Sequence, residues 1–159
     1  MRVVYEDNHI IIVYKESGEI VQGDKTGDTP LSDIVKDYIK EKYQKPGNVF
    51  LGVVHRLDRP VSGLVVFART SKALSRLNEM FRTGEVHKTY WAITKNMPAI
   101  EEGRLEHWLV RNEKQNKSFV VKPGTKDAKR AVLTYKAIAH SAGYLQHDIC
   151  QQHSRRYRP

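Results

Sequence analysis

The apolar residues of this chain come in short runs, and that is the tightest constraint on its fold. The longest are IIIVY (10–14), VFLGVV (49–54) and LVVFA (64–68). Each has the length of one buried strand and is far below the roughly 18 residues needed to cross a membrane. Turn residues bound them: EDN at 6–8, Gly18, Pro46-Gly47 and Ser62-Gly63. Helical spacing appears twice. Leu31, Ile34, Val35, Tyr38 and Ile39 follow Thr29, a candidate N-cap, and Pro30, a candidate first helical residue. Ala73, Leu74, Leu77, Met80 and Phe81 follow Ser71 and precede Gly84. KTYWAIT (88–94) alternates as a strand does. RLEHWLV (104–110) and KSFVVK (117–122) read as a hairpin around a polar loop, and RAVLTYKAIA (130–139) as one more strand. Strands outnumber helices in mixed order. The expected class is α+β, with a mixed, mostly antiparallel central sheet and flanking helices.

The length of 159 residues suits one domain, expected over 1–143. The end reads differently. Ile149 is the one aliphatic after Leu145, and Gln, His and Arg stand where core residues would. YLQHDI (144–149) could start a strand, but QQHSRRYRP (151–159) cannot supply a buried one, and residues 144–159 are expected to be an atypical, basic, poorly ordered tail. IIIVY follows acids and has no basic leader, so it is not a signal peptide, and the expected location is the cytoplasm. The single Cys150 forms no internal disulfide. The seven histidines are scattered and no metal site is expected of them; His107 and His140 read as structural or exposed.

Charge narrows the partner. The net charge is +9. Residues 1–54 hold 7 Lys/Arg against 9 Asp/Glu, whereas residues 55–159 hold 20 against 9. The positive field begins at His55 and suits a polyanion, nucleic acid before a membrane surface. There Asp58 stands among His55, Arg56 and Arg59. Cations within about 4–6 Å hold a carboxylate ionised, which suits a nucleophile or an electrostatic stabiliser. A surface ion-pair cluster is the plain alternative. A glycosidase pair with Glu79 is weaker, because Glu79 falls on a solvated helix face. Gly63 permits an unusual backbone angle or close approach by a ligand. Tyr90 and Trp91 alternate, so one of them faces away from the core.

HRLDRPVSG (55–63) followed by LVVFART (64–70) resembles the signature of the RluA-type pseudouridine synthases. VVYEDNHIIIVYKESGEIV (3–21) resembles that family's opening strands and Lys-x-x-Gly turn. SKALSRLNEMFRTGEVHKTYWAIT (71–94) resembles its next helix and K-x-Y strand. The likeness covers about residues 1–95, and RAVLTYKAIA more loosely. It implies isomerisation of uridine to pseudouridine in ribosomal or transfer RNA, without metal or cofactor. Asp58 would be the catalytic carboxylate, and Tyr90 would pack on the target uracil. Arg56 would fill the gap left when the uridine is flipped out. His55, Arg59 and Lys88 would bind RNA by charge. The catalytic pattern starts at residue 1, so no RNA-binding appendage is expected before it.

Two departures stand out. Val61 replaces a usual threonine. The family's G-R-x-H-Q-I-R-like stretch, whose arginine pairs with the aspartate, has no counterpart; HSRRYRP has the residue types but not the order. The pattern is expected to stop near Gly143, leaving a chain that is catalytically weak or an inactive RNA-binding remnant of the fold.

Overall fold

The computed structural model describes residues 1–94, 98–115, 117–141, 144–150 and 152–153. The chain divides into two compact units, Met1–Phe81 and Arg82–Pro159.

The first unit is built on a four-stranded sheet. Its strands are β1 (Arg2–Glu6), β2 (Ile10–Lys15), β3 (Gly52–Val53) and β4 (Gly63–Ala68), in the order β1-β2-β4-β3, each pair antiparallel. The EDN turn between β1 and β2 closes because the Asp7 carboxylate accepts from the amides of His9 and Ile10, both at 2.7 Å. Alternation then sorts the faces. Ile11 and Val13 of β2 meet Val65 and Phe67 of β4 in the core. Helix α1 (Leu31–Lys42) covers that face with Leu31, Val35 and Ile39. Burying such a side chain stabilises the fold by roughly 1.5–3 kcal/mol each.

The helix start differs from the sequence expectation. Pro30 itself is the N-cap, and no side chain caps the helix. Thr29 is not used. The amides of Leu31 and Ser32 donate instead to the carbonyls of Ile20 and Val21, at 2.8 and 3.1 Å, so backbone replaces a side-chain cap. The run 49–54 also yields less strand than its length suggests. Only Gly52–Val53 pairs, at the sheet edge, while Val49, Leu51 and Val53 pack on the core. Helix α2 (Ser71–Thr83) follows β4, with Thr70 Oγ1 accepting from the amide of Ala73 at 3.1 Å. Gly84, at φ +80°, ends it. Of its apolar stripe Ala73 is buried, whereas Met80 is exposed.

The second unit holds β5 (Thr89–Thr94), β6 (Glu102–Asn112), β7 (Lys117–Val121), β8 (Lys129–Ser141), β9 (Tyr144–Cys150) and β10 (Gln152–His153). They form one antiparallel sheet in the order β5-β9-β8-β6-β7, with β10 also on β8. The β6–β7 hairpin closes at Asn112↔Lys117, as its polar loop predicts. Strand β9 lies between β5 and β8. It falls in the stretch expected to be a poorly ordered tail, and backbone pairing from both neighbours holds it there despite its few aliphatics. The rest of that stretch, 151 and 154–159, and the side chain of His140 lie outside the described residues. Among the described side chains of this unit none is fully buried. Trp91 is 74% exposed and Ile93 69%.

The expected α+β class holds, with every pairing antiparallel and the strands shared between two sheets.

Candidate active site

Asp58 sits in the loop joining β3 to β4, residues 54–62, and its side chain points to solvent. The loop is held mainly by its backbone. Val61 donates its amide to the Asp58 carbonyl at 3.0 Å, closing a turn over 58–61. Beneath that turn lies Lys15, the last residue of β2. Alternation puts Lys15 on the core face, where it is fully buried. Its ammonium donates to the carbonyls of Val61 (2.6 Å), Arg59 (3.1 Å), Glu16 (3.1 Å) and Asp58 (3.2 Å). Burial lowers the pKa of Lys15, as does the charge of Arg59, while the charges of Glu19 and Asp58 pull it back up. The 16–18 turn adds two bonds. The Gly18 amide donates to the Arg59 carbonyl at 2.8 Å, and Ser17 Oγ to the Pro60 carbonyl at 3.0 Å. Gly18 makes this approach at φ +94°, where a side chain would be strained. Sequence reading saw this stretch only as a Lys-x-x-Gly turn; the signal was a lysine on the apolar phase of a strand.

The cations flanking Asp58 do not crowd it, and this corrects the sequence expectation. Among the described residues its carboxylate makes no hydrogen bond or ion pair. His55 turns back to the sheet. Its Nε2 accepts from the Val66 amide at 3.0 Å, and its ring stacks on Phe81 with centroids 5.0 Å apart. Pairing of β3 with β4 stops at Val53↔Phe67, so the imidazole takes the amide one residue beyond the ladder. Arg56 is exposed, with Nη1 3.5 Å from Gln22 Oε1. Arg59 reaches away to Asp28 at 2.6 Å, Thr26 Oγ1 at 2.8 Å and Asp24 at 3.5 Å. Each of the three finds its partner elsewhere: His55 on β4, Arg56 near Gln22, and Arg59 at Asp24, Thr26 and Asp28. Gly63 leaves the loop at φ +147°, the unusual angle its residue type allows.

Tyr90 and Lys88 belong to the second unit. Tyr90 is half-buried on β5, paired with Ile149, and Lys88 is half-buried just before the strand. Of the two alternating aromatics, Trp91 is the one that faces outward. Glu79 is exposed on α2, as expected.

The profile of the RNA pseudouridylate synthase family matches residues 9–158, and the chain belongs to that family. The match runs past Gly143, where the sequence reading expected the pattern to stop. Among RluA-type relatives, tRNA pseudouridine synthase C of Vibrio vulnificus is 34% identical over 143 residues, covering 87% of this chain and 54% of that protein. The mitochondrial pseudouridylate synthase RPUSD4 of Xenopus tropicalis is 31% identical over 112 residues, covering 70% of this chain and 34% of that protein. A solved human structure, RNA pseudouridylate synthase domain containing 4, superposes with a TM-score of 0.78 at 23% identity, covering 95% of this chain and 58% of that one. That likeness shows the fold. The chain thus spans about a third to three fifths of the length of the relatives it matches. No described helix is long and apolar enough to cross a membrane.

Proposed function

We propose that this chain carries the catalytic part of an RNA pseudouridine synthase, with Asp58 as its catalytic carboxylate. The observation that carries the reading is the contrast at one residue. The Asp58 backbone is fixed by the buried Lys15 ammonium, while its carboxylate meets solvent without a protein partner among the described residues. An acid held in place yet left open is built to meet a ligand. The reaction breaks the bond between uracil and ribose, turns the base and joins C5 to the sugar; no atoms are gained or lost. Tyr90 packs on the uracil, exposed Arg56 fills the vacated stack, and Lys88 binds phosphate. His55 serves the RNA by bracing the loop on β4 rather than by direct charge. The substrate is a uridine-containing stem-loop of transfer or ribosomal RNA, the classes named for the bacterial relatives, and the site of action is the cytoplasm.

A second reading, a catalytically weak RNA binder of the same fold, is favoured by one fact: the family's arginine partner for this aspartate has no counterpart at Asp58 among the described residues. One assay separates the two. Total RNA is incubated with the protein and pseudouridine is counted. The first reading expects turnover in the parent protein and at least a roughly 1000-fold loss in Asp58→Asn. The melting temperature should move little, because the carboxylate makes no hydrogen bond or ion pair among the described residues and adds only the smallest of the charge effects on Lys15. Binding without turnover, equal in both proteins, supports the second reading.

A further inference from the structure

Arg59 is one residue from Asp58, yet its guanidinium is already occupied. Nη1 donates to Asp28 Oδ2 at 2.6 Å, and Nη2 to Thr26 Oγ1 at 2.8 Å and Asp24 Oδ2 at 3.5 Å. Thr26 is tied into the same cluster. Its amide donates to Asp24 Oδ1 at 2.9 Å, and its hydroxyl bonds the same carboxylate oxygen. The clasp belongs to residues 23–28, GDKTGD. The loop has open space at both glycines: a Cβ added at Gly23 or Gly27 would meet nothing within 4 Å, and Gly27 sits at φ +81°. All three charged side chains of the clasp are 39–57% exposed. Exposed pairs of this kind are weak and open readily. A guanidinium fork fits the paired oxygens of a phosphate as well as those of a carboxylate.

We propose that the 23–28 loop is an acidic latch: Asp24 and Asp28 occupy Arg59 in the free protein, and an RNA phosphate must displace them to bind there. The inference rests on the reading of the chain as an RNA pseudouridine synthase. Asp24 and Asp28 then set the affinity for RNA without touching uridine. They also discriminate against weakly charged or short oligonucleotides, which pay for opening the latch but make few other phosphate contacts.

The test is RNA binding by the full chain, measured by fluorescence anisotropy with a labelled uridine-containing stem-loop across a salt series. The double variant Asp24→Asn with Asp28→Asn should bind roughly two- to tenfold tighter, with a log–log salt slope steeper by about one phosphate contact. Adding Arg59→Ala to that double variant should erase the gain. Asp37→Asn with Glu41→Gln makes the same change in charge on the exposed side of α1 and should produce less than half the effect. Asp28→Asn alone, removing the shorter pair, should give a smaller gain of the same sign. The latch is refuted if the double variant binds no tighter than the α1 control, or if its gain survives loss of Arg59. Absence of RNA binding by every protein, the parent included, removes the RNA reading itself and the latch with it. Parent binding with no gain overturns the latch alone.

Discussion

Lys15 is the residue on which the geometry of Asp58 turns. Its ammonium is fully buried and serves four carbonyl oxygens, three of them in the 58–61 turn. Lys15→Met keeps the length and apolar stem of the side chain but leaves those oxygens without a donor. The expected cost is about 2–4 kcal/mol, read by urea denaturation followed by far-ultraviolet circular dichroism. A loss below about 1 kcal/mol would mean that water replaces the ammonium and that the loop does not depend on it. Sequence reading singled out Asp58, expected the unusual backbone angle seen at Gly63, and expected one of the aromatics at 90 and 91 to face outward without choosing between them. It failed on the surroundings of the acid, for a physical reason. The acids that capture Arg59 lie 31 and 35 residues earlier in the chain, and no local pattern announces a contact at that separation.

At the scale of elements, one carboxylate ties β1 to the end of α1. Glu6 accepts from Lys42 at 2.5 Å, Tyr43 at 2.6 Å and Tyr38 at 2.9 Å. Arg69 extends the cluster by lying 4.5 Å over the Tyr43 ring. Burial alone would raise the pKa of Glu6, but the bonds from Lys42, Tyr43 and Tyr38 outweigh it and hold the carboxyl at about 2, below its usual 4.5. A depressed carboxyl pKa contributes stability that is complete above the unfolded value, and that stability is lost as pH falls from 4.5 towards 2. Lys42 is nearly half exposed, so solvent screening limits the contribution to on the order of 2 kcal/mol. Glu6→Gln should therefore lose about that much at pH 7 and little at pH 2.5, as measured by denaturant melts at both values. An equal deficit at both would assign the effect to packing. The elements themselves were largely legible, because periodicity marks β2, β4, α1 and α2 clearly. The start of α1 was not, since its first amides bond to carbonyls of 20 and 21, whereas cap rules look only for a polar side chain beside the helix.

On the scale of the whole molecule, burial is unequal. Every fully buried apolar side chain belongs to the first unit, among the described residues. The second unit is a sheet whose described side chains all keep some contact with water. Hydrogen exchange on the intact chain should therefore show two classes. Amides of Ile11, Val13, Val65 and Phe67 should exchange at least roughly 100-fold more slowly than the paired amides of β6 and β8. Uniform protection across both sheets would show instead that the chain opens as one cooperative body. The composition of the second unit also explains why sequence reading went no further than a possible strand start at YLQHDI (144–149). Strand β9 carries Gln, His and Asp where a buried strand would carry aliphatics. A strand selected by pairing on both edges needs no such signature. The position of Trp91 has a practical corollary. Both tryptophans of the chain, Trp91 and Trp108, stand in the second unit. Intrinsic indole emission therefore comes entirely from β5 and β6. It is sensitive to quenchers at the outward ring of Trp91, which lies open to solvent.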